Sequence, residues 1–349
     1  MHDDYLWDRS GEPDSEIVRL ERTLAGLRHR GEPPSAVILE PIGRRWRRLR
    51  VWPYSALAGA IAAALIIAVG TMLIGLRPRG AVWQVAVLDG RPTVGRLPLQ
   101  TEGTLGVGQW LVTDASSRAE ISVGDIGSVE VAPNSRVRLV SARPTDNRIE
   151  LQRGRVRAMI FAPPRRFAVD APSGTAIDLG CMYTLQIADD GTGLLHVESG
   201  WVAFAYDARE SFVPAGASAQ TRPGVGPGTP YFDDADVRLR EALPRVDFDP
   251  AISPDRAAAL ETVLDAARPR DAITLWHLLP RVRPEERGRV FDRLAQLVPP
   301  GNAVTREGIL RGDRRMLETW WDQLDLEPVS WWRTWERPWP ARRSSRHSE

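Results

Sequence analysis

The feature that most constrains this chain is a run of 26 residues, 51–76, that contains no charged side chain. As a helix this run would be roughly 39 Å long, which exceeds the ~30 Å hydrocarbon core of a bilayer. A helix is expected, because an isolated strand would leave its backbone polar groups unsatisfied in lipid. A buried core helix would show a polar face, and a signal peptide would not begin 50 residues into the chain. The sequence therefore predicts one transmembrane helix over residues 51–76.

Arginines flank this run unequally and predict its orientation. Five arginines lie within the ten residues before the run, and two lie within the ten residues after it. Because positive charge is retained on the cytoplasmic side, the N-terminus should lie in the cytoplasm and the bulk of the chain outside it. In a bacterial cell this corresponds to a single-pass protein of the inner membrane with a periplasmic, extracytoplasmic domain.

Net charge and residue types narrow the classes of function. A net charge of +1 provides no electrostatic basis for direct nucleic-acid binding. The chain has one cysteine, so no intramolecular disulfide can form, and none of its five histidines is spaced to share a metal ion with another histidine or with the cysteine. The sequence predicts no metal site and no cofactor.

Residues 1–50 form a segment of their own with a short amphipathic helix and the arginine cluster. Such a helix of about 14 residues is marginal alone in water, so its apolar face requires a partner. That partner can be another protein, a second copy of the chain or the inner leaflet, and a disordered tail is the alternative. An aromatic patch and one helical face, with apolar residues three or four positions apart, supply the candidate partner-binding residues: Tyr5, Leu6, Trp7, Ile17, Leu20, Leu24 and Leu27.

Residues 80–222 show the alternation of half-buried strands. Apolar and polar residues alternate in short runs, for example from Ala119 to Val123 and from Tyr183 to Ile187, and turn residues separate the runs every eight to twelve positions. No helical pattern intervenes. The sequence predicts an all-β domain, either a sandwich or a solenoid-like sheet.

Several motifs of this β region resemble those of FecR-like domains. They read, in order, SVEVAPNSRVRL at 128–139, LQRGRV at 151–156, FAVDAP at 167–172, LGCMYTL at 179–185, VESGWV at 197–202 and VPAG at 213–216. The chain departs from the family pattern at Gly180-Cys181, where the family usually has Gly-Thr before an aromatic residue, and at Gly108-Gln109, where it usually has Gly-Asp.

The resemblance implies a regulatory function. The chain resembles membrane-spanning regulators of this family, which pass an envelope signal to a cytoplasmic sigma factor through their N-terminal segment. It therefore implies signal transduction between an envelope protein or ligand and a cytoplasmic protein partner such as a sigma factor. A structural or polymer-binding envelope protein, using the β domain and the tryptophan-rich end of the chain, is the alternative.

The last third of the chain has helical periodicity. A linker over 223–249 is followed by a helical, tryptophan-rich region over 250–340 and a disordered tail over 341–349. Ser253, Asp271, Pro284 and Asp313 mark four helix starts. Six of the thirteen tryptophans fall between Trp320 and Trp339, where they can dock the end of the chain onto the helices or form a contact surface for protein or glycan.

The residue types that carry catalysis are present without a catalytic arrangement. His196 alternates with Leu195 and Val197 and should point to solvent, whereas His277 lies on an apolar helix and should be partly buried with its hydrogen bonds satisfied. Cys181 has no nearby histidine, so a buried structural thiol is expected rather than a nucleophile. We therefore expect a non-enzymatic protein, and a periplasmic hydrolase is the weakest of the three hypotheses.

Overall fold

The structure is a computed structural model that describes residues 82–324 and residue 326. The predicted transmembrane run 51–76, the N-terminal segment and the tail 341–349 lie outside these residues. Within the described ranges, no helix is both long enough and apolar enough to cross a bilayer. The β part and the helical part of the described chain share one hydrophobic core cluster.

The β region consists of two sheets between which the chain alternates. From edge to edge, sheet A contains β4 (Glu102–Gly106), β1 (Val82–Asp89), β6 (Arg118–Ser122), β7 (Gly127–Val131), the second half of β9 (Asp146–Ile160), β12 (Met182–Ile187), β13 (Gly193–Ser199) and β16 (Ala217–Arg222). Two short strands, β17 (Gly226–Pro227) and β18 (Tyr231–Phe232), both pair with β16. Sheet B contains β3 (Leu97–Pro98), β2 (Thr93–Val94), β5 (Trp110–Val112), β8 (Arg136–Arg143), the first half of β9, β10 (Phe167–Ala171), β11 (Gly174–Asp178), β14 (Trp201–Tyr206) and β15 (Arg209–Pro214). Pairing is antiparallel except between β9 and β10.

Strand β9 joins the two sheets. Its first half pairs with β8 and β10 in sheet B, and from Gly154 onward it pairs with β7 and β12 in sheet A. Gly154 has a φ of +92°, and a Cβ at this position would overlap the backbone of Ser135. Because only glycine accepts this conformation and this close approach, the glycine of the LQRGRV motif allows the strand to cross between the sheets.

The core lies between the sheets and follows the alternation of the sequence. Ala119, Ile121, Val129, Val131 and Leu185 are fully buried, while their neighbours along each strand face outward. The predicted mainly-β domain is therefore confirmed. The structure combines the two architectures left open by the sequence, since two stacked sheets are built by a chain that repeatedly changes sheet.

Helices follow the strands, which confirms the predicted C-terminal helical region. They are α1 (Val237–Phe248), α2 (Pro254–Ala266), a 3₁₀ turn (Pro269–Asp271), α3 (Ala272–Leu278), α4 (Pro284–Leu297), α5 (Arg306–Leu310) and α6 (Arg314–Trp321). The four predicted starts are confirmed: Ser253 precedes α2, Asp271 precedes α3, Pro284 begins α4, and the Asp313 side chain accepts hydrogen bonds from the first turn of α6.

The expected linker over 223–249 requires a correction. This stretch contains β17, β18 and the twelve-residue helix α1. Leu239, Leu243 and Val246 of α1 are buried against the rest of the protein, and the Asp236 side chain caps its first turn. The local sequence does not show this helix clearly, because Pro244 lies inside it and many turn residues precede it. Packing of its buried face against the rest of the protein outweighs these local preferences.

Candidate functional site

Three turns that carry the FecR-like motifs lie side by side at one end of the sandwich. They connect β11 to β12, β13 to β14 and β15 to β16. The backbone N–H of Leu179 donates to the carbonyl O of Trp201 at 3.2 Å, and the N–H of Gly216 donates to the carbonyl O of Val197 at 2.8 Å. Motifs that are far apart in the sequence therefore form one continuous surface.

Gly200 sets the close approach of two of these turns. Its φ is +72°, and a Cβ at this position would overlap the carbonyl O of Gly180 and contact the Cα of Cys181 at 3.0 Å. A larger residue would strain the backbone and push the two turns apart. The glycine of the VESGWV motif is therefore required by packing between motifs.

A groove of about 500 Å³ opens beside these turns. Trp201, Pro214 and Phe232 line it from the sandwich, and Arg270, Gln323 and Leu324 are among the residues that line it from the helical region. The Arg270 guanidinium lies 4.3 Å from the centre of the Phe232 ring. Its volume falls within the ~300–1,000 Å³ of ordinary ligand pockets, and its walls suit an apolar or aromatic group.

Trp321 packs beneath this groove, between the helical region and sheet B. Its ring centre lies 4.8 Å from that of Trp276 and 5.8 Å from those of Trp201 and Phe212. Trp320 is fully buried as well. For these two tryptophans the packing interpretation is confirmed, and Trp331 to Trp339 lie outside the described residues.

Polar side chains of the helical region bind the outer edge of β15. His277 is buried; its Nε2 accepts the backbone N–H of Phe212 at 3.0 Å, and its Nδ1 lies 2.8 Å from the carbonyl O of Ile273. Arg281 donates to the carbonyl O of Glu210 at 2.6 Å. The expected hydrogen bonding of His277 is confirmed, and its side chain is more deeply buried than the partly buried position expected from the sequence. The helices cover an edge that would otherwise expose unpaired backbone groups.

A buried polar cluster lies under the β11–β12 turn. The Asp178 carboxylate accepts hydrogen bonds from the Cys181 thiol and from the Gly180 N–H, both at 2.7 Å. Burial raises the pKa of Asp178 to about 7, and burial followed by the nearby Asp178 charge raises the pKa of the Cys181 thiol. The Tyr183 hydroxyl is buried without a hydrogen-bond partner among the described residues. Cys181 is thus buried as predicted, and its raised pKa disfavours the reactive thiolate.

His196 lies half exposed on sheet A beside Ser218 and Asp233. Its Nδ1 is 3.2 Å from both the Ser218 Oγ and an Asp233 carboxylate oxygen, and the Ser218 hydroxyl donates to the other carboxylate oxygen at 2.7 Å. In a catalytic triad the two partners bind different nitrogens of the imidazole. This cluster therefore lacks the triad geometry, and the histidine predicted to face solvent is partly held by its neighbours.

The structure brings together residues that the sequence did not single out. Asp178 forms the polar cluster under the β11–β12 turn, Arg281 binds the outer edge of β15 near its other end, and Arg270 lines the groove. One signal was available for Asp178, which occupies an apolar position of the alternation that begins at Gly174 and Ala176. Across residues 82–324, no three His, Cys, Asp or Glu side chains are arranged to hold a metal ion.

The predicted partner-binding face lies outside the described residues. It comprises Tyr5, Leu6, Trp7, Ile17, Leu20, Leu24 and Leu27. This face remains a prediction from the sequence.

Comparison with known proteins identifies the middle of the chain. The FecR protein family matches residues 109–203, and the chain has no significant sequence match among curated proteins. Two crystal structures are similar, each described as a candidate anti-sigma factor from Parabacteroides distasonis ATCC 8503. One is 13% identical with a TM-score of 0.31, and the match covers 38% of this chain and 63% of that chain. The other is 12% identical with a TM-score of 0.28, and the match covers 46% and 64%.

In each case the aligned part spans less than two thirds of the solved chain. Because both TM-scores lie below 0.5, these two structures establish neither a shared overall fold nor a shared function. The family match rests on sequence, and it includes the crossing strand β9 and the first two of the three turns beside the groove. Residues 109–203 of this chain form a FecR domain.

Proposed function

We propose that this protein is a single-pass regulator of the bacterial envelope that couples an extracytoplasmic FecR domain to a cytoplasmic protein partner such as a sigma factor. The observation that carries the proposal is the FecR match over residues 109–203. The uncharged run 51–76 and the five arginines that precede it support the membrane topology. The output would be regulatory, with an envelope protein or ligand as input and partner binding as the response.

The groove is the part of the domain best suited to receive the input. It lies where the motif turns meet, and it is bounded by both the sandwich and the helical region. A ligand or partner that changes the distance between these two parts would act on Trp201 and Leu324 at once. This geometry favours recognition of an apolar or aromatic group over catalysis.

Topology can be tested with reporters fused to the chain. A reporter that is active only outside the cytoplasm should work when fused after Arg79 and fail when fused before Arg44. A reporter that requires the cytoplasm should show the opposite pattern. Activity of both fusions on the same side would refute the membrane-spanning arrangement.

Partner binding can be tested with two substitutions in the N-terminal face. Trp7→Ala with Leu20→Asp should abolish co-purification of the cytoplasmic partner with the full-length chain, because aromatic and apolar anchors contribute about 2 kcal/mol or more when truncated. The matched control is Arg19→Ala with Glu21→Ala, which changes the polar side of the same predicted helix. If both variants retain the partner, this face is not the binding site. If the first variant loses only its affinity for lipid vesicles, the helix binds the leaflet.

A further inference from the structure

Asp178 is a buried carboxylate in surroundings that supply no positive charge to it. The residue is 1% exposed at the end of β11. Its carboxylate accepts hydrogen bonds from the Cys181 thiol and the Gly180 N–H. Among the described residues no arginine or histidine contributes to its pKa. An ionised carboxylate without a cation is costly in such a site, whereas the neutral acid is tolerated.

The backbone around Asp178 connects three parts of the candidate site. The Arg165 N–H, in the loop between β9 and β10, donates to the Asp178 carbonyl O at 2.7 Å. The backbone N–H of the next residue, Leu179, donates to the carbonyl O of Trp201, a residue that lines the groove. The Cys181 carbonyl O accepts the Ile160 N–H at 3.1 Å. A change in this turn would therefore reach the groove through Trp201.

We propose that Asp178 is a proton-dependent latch: the closed turn 179–181 buries its carboxyl group and so favours the neutral form, whereas ionisation favours an open turn with a looser Trp201 wall of the groove. Opening would let water reach the carboxylate and relieve the cost of a buried, unpaired charge. This latch would make the groove respond to the acidity of the surrounding compartment, which is a property additional to the proposed function and independent of the membrane topology.

The neighbouring groups leave Asp178 as the titrating residue of this cluster. On β12 and the turn, the facing titratable groups are Tyr183 and Cys181, and burial raises the pKa of both, so both stay neutral near pH 7. On β14, Asp178 lies opposite Val202, which cannot titrate. The loop between β9 and β10 contributes the Arg165 backbone N–H.

The direction of the pH effect follows from the pKa of Asp178 in the folded and in the unfolded chain. Burial raises the pKa of Asp178 from 3.8 to about 7 and outweighs the hydrogen bonds from Cys181 and Gly180, which lower this pKa, so the folded state retains a proton that the unfolded chain releases. The neutral form therefore favours the closed turn at low pH. This preference is lost as pH rises from about 4 to about 7, and it stays constant above that range.

Cys181 provides a specific probe for this opening because it is the only cysteine of the chain. The full-length protein is labelled with 4,4′-dithiodipyridine, and the labelling rate of the urea-unfolded chain at the same pH is divided by the labelling rate of the folded protein. This ratio is the protection of the thiol and removes the intrinsic pH dependence of the thiolate. Between about pH 5.5 and about pH 8, protection in the wild-type protein should fall at least about tenfold.

Two variants and a control distinguish the latch from a general loss of stability. Asp178→Asn and Asp178→Leu, which cannot titrate, should each reduce the pH-dependent change to less than about twofold. The control is Asp189→Asn, at a carboxylate with an 86% exposed side chain, which should keep the wild-type dependence. Constant protection in the wild-type protein would overturn the proposal without any variant. An unchanged pH dependence in either folded Asp178 variant would overturn it as well.

Discussion

Replacing Arg281 by methionine should weaken the attachment of the helical region to sheet B. Arg281 has a side chain that is only 10% exposed. Besides the Glu210 carbonyl O, it donates to the hydroxyls of Ser211 at 2.8 Å and Thr229 at 2.9 Å. The carboxylate of Asp247, 3% exposed, lies 3.9 Å away. Methionine fills most of the space but satisfies none of these groups.

The size of the effect follows from which groups lose their partners. The Ser211 hydroxyl keeps the Gly228 carbonyl O at 2.7 Å, and the Thr229 hydroxyl keeps Asp247 at 2.8 Å. The Glu210 carbonyl O loses a charged donor, and the buried Asp247 keeps Arg209 as its remaining cation. Loss of the charged donor to this part-buried carbonyl O costs ~1–3 kcal/mol and a weakened buried ion pair adds to this, so we expect a loss of about 3–5 kcal/mol.

Urea unfolding followed by circular dichroism measures this loss. If the described region unfolds as one unit, the unfolding midpoint should also fall by roughly 6–20 °C in a thermal scan. Arg245→Met, at an exposed arginine on α1, is the matched control and should change the stability by less than about 0.5 kcal/mol. A loss below about 1 kcal/mol for Arg281→Met would refute the reasoning, because the cost of burying the arginine would then cancel its hydrogen bonds. Apolar packing would in that case hold the interface.

Two further changes test the helical region and the turns. Burial alone would raise the pKa of Glu286, but hydrogen bonds from Arg283 and Arg256 outweigh this effect and hold the pKa at about 2. The ionised Glu286 therefore stabilises the folded state fully above pH 4.5, and this stabilisation is lost as pH falls toward 2. Glu286→Gln should lower the stability by about 3–5 kcal/mol at neutral pH and flatten the decline in stability between pH 4.5 and pH 2. Urea titrations at several pH values measure this decline, and an unchanged decline would mean that other carboxylates cause it. Gly200→Ala should lower the stability by about 2–4 kcal/mol, because a backbone with positive φ is combined there with a steric overlap. Gly95 has a φ of +63° but open space around it, so the control Gly95→Ala should cost about 1 kcal/mol. Equal losses in the two variants would argue against the overlap.

The sequence by itself determined the local structure of most elements. Alternation placed Ile121 and Val129 in the core, because the side chains of a strand face opposite sides at every step. Ser253 and Pro254 marked the start of α2, since the first turn of a helix accepts proline and begins after a residue of this type. These features depend on neighbours in the chain and can therefore be read from it.

Tertiary structure decided what distant segments do together. The crossing of β9 at Gly154 depends on the approach of Ser135, and the stability of α1 depends on the surface that buries its face. The groove exists because the β13–β14 and β15–β16 turns meet the helical region, and the protonation state of Asp178 depends on the segments that exclude water from it. Local pattern predicts which side of an element is buried, but it does not determine which partner buries it. The alternation of β11 marks Asp178 as an inward-facing residue, but desolvation is a property of the whole packed structure, so the raised pKa of Asp178 and the groove could be found only there.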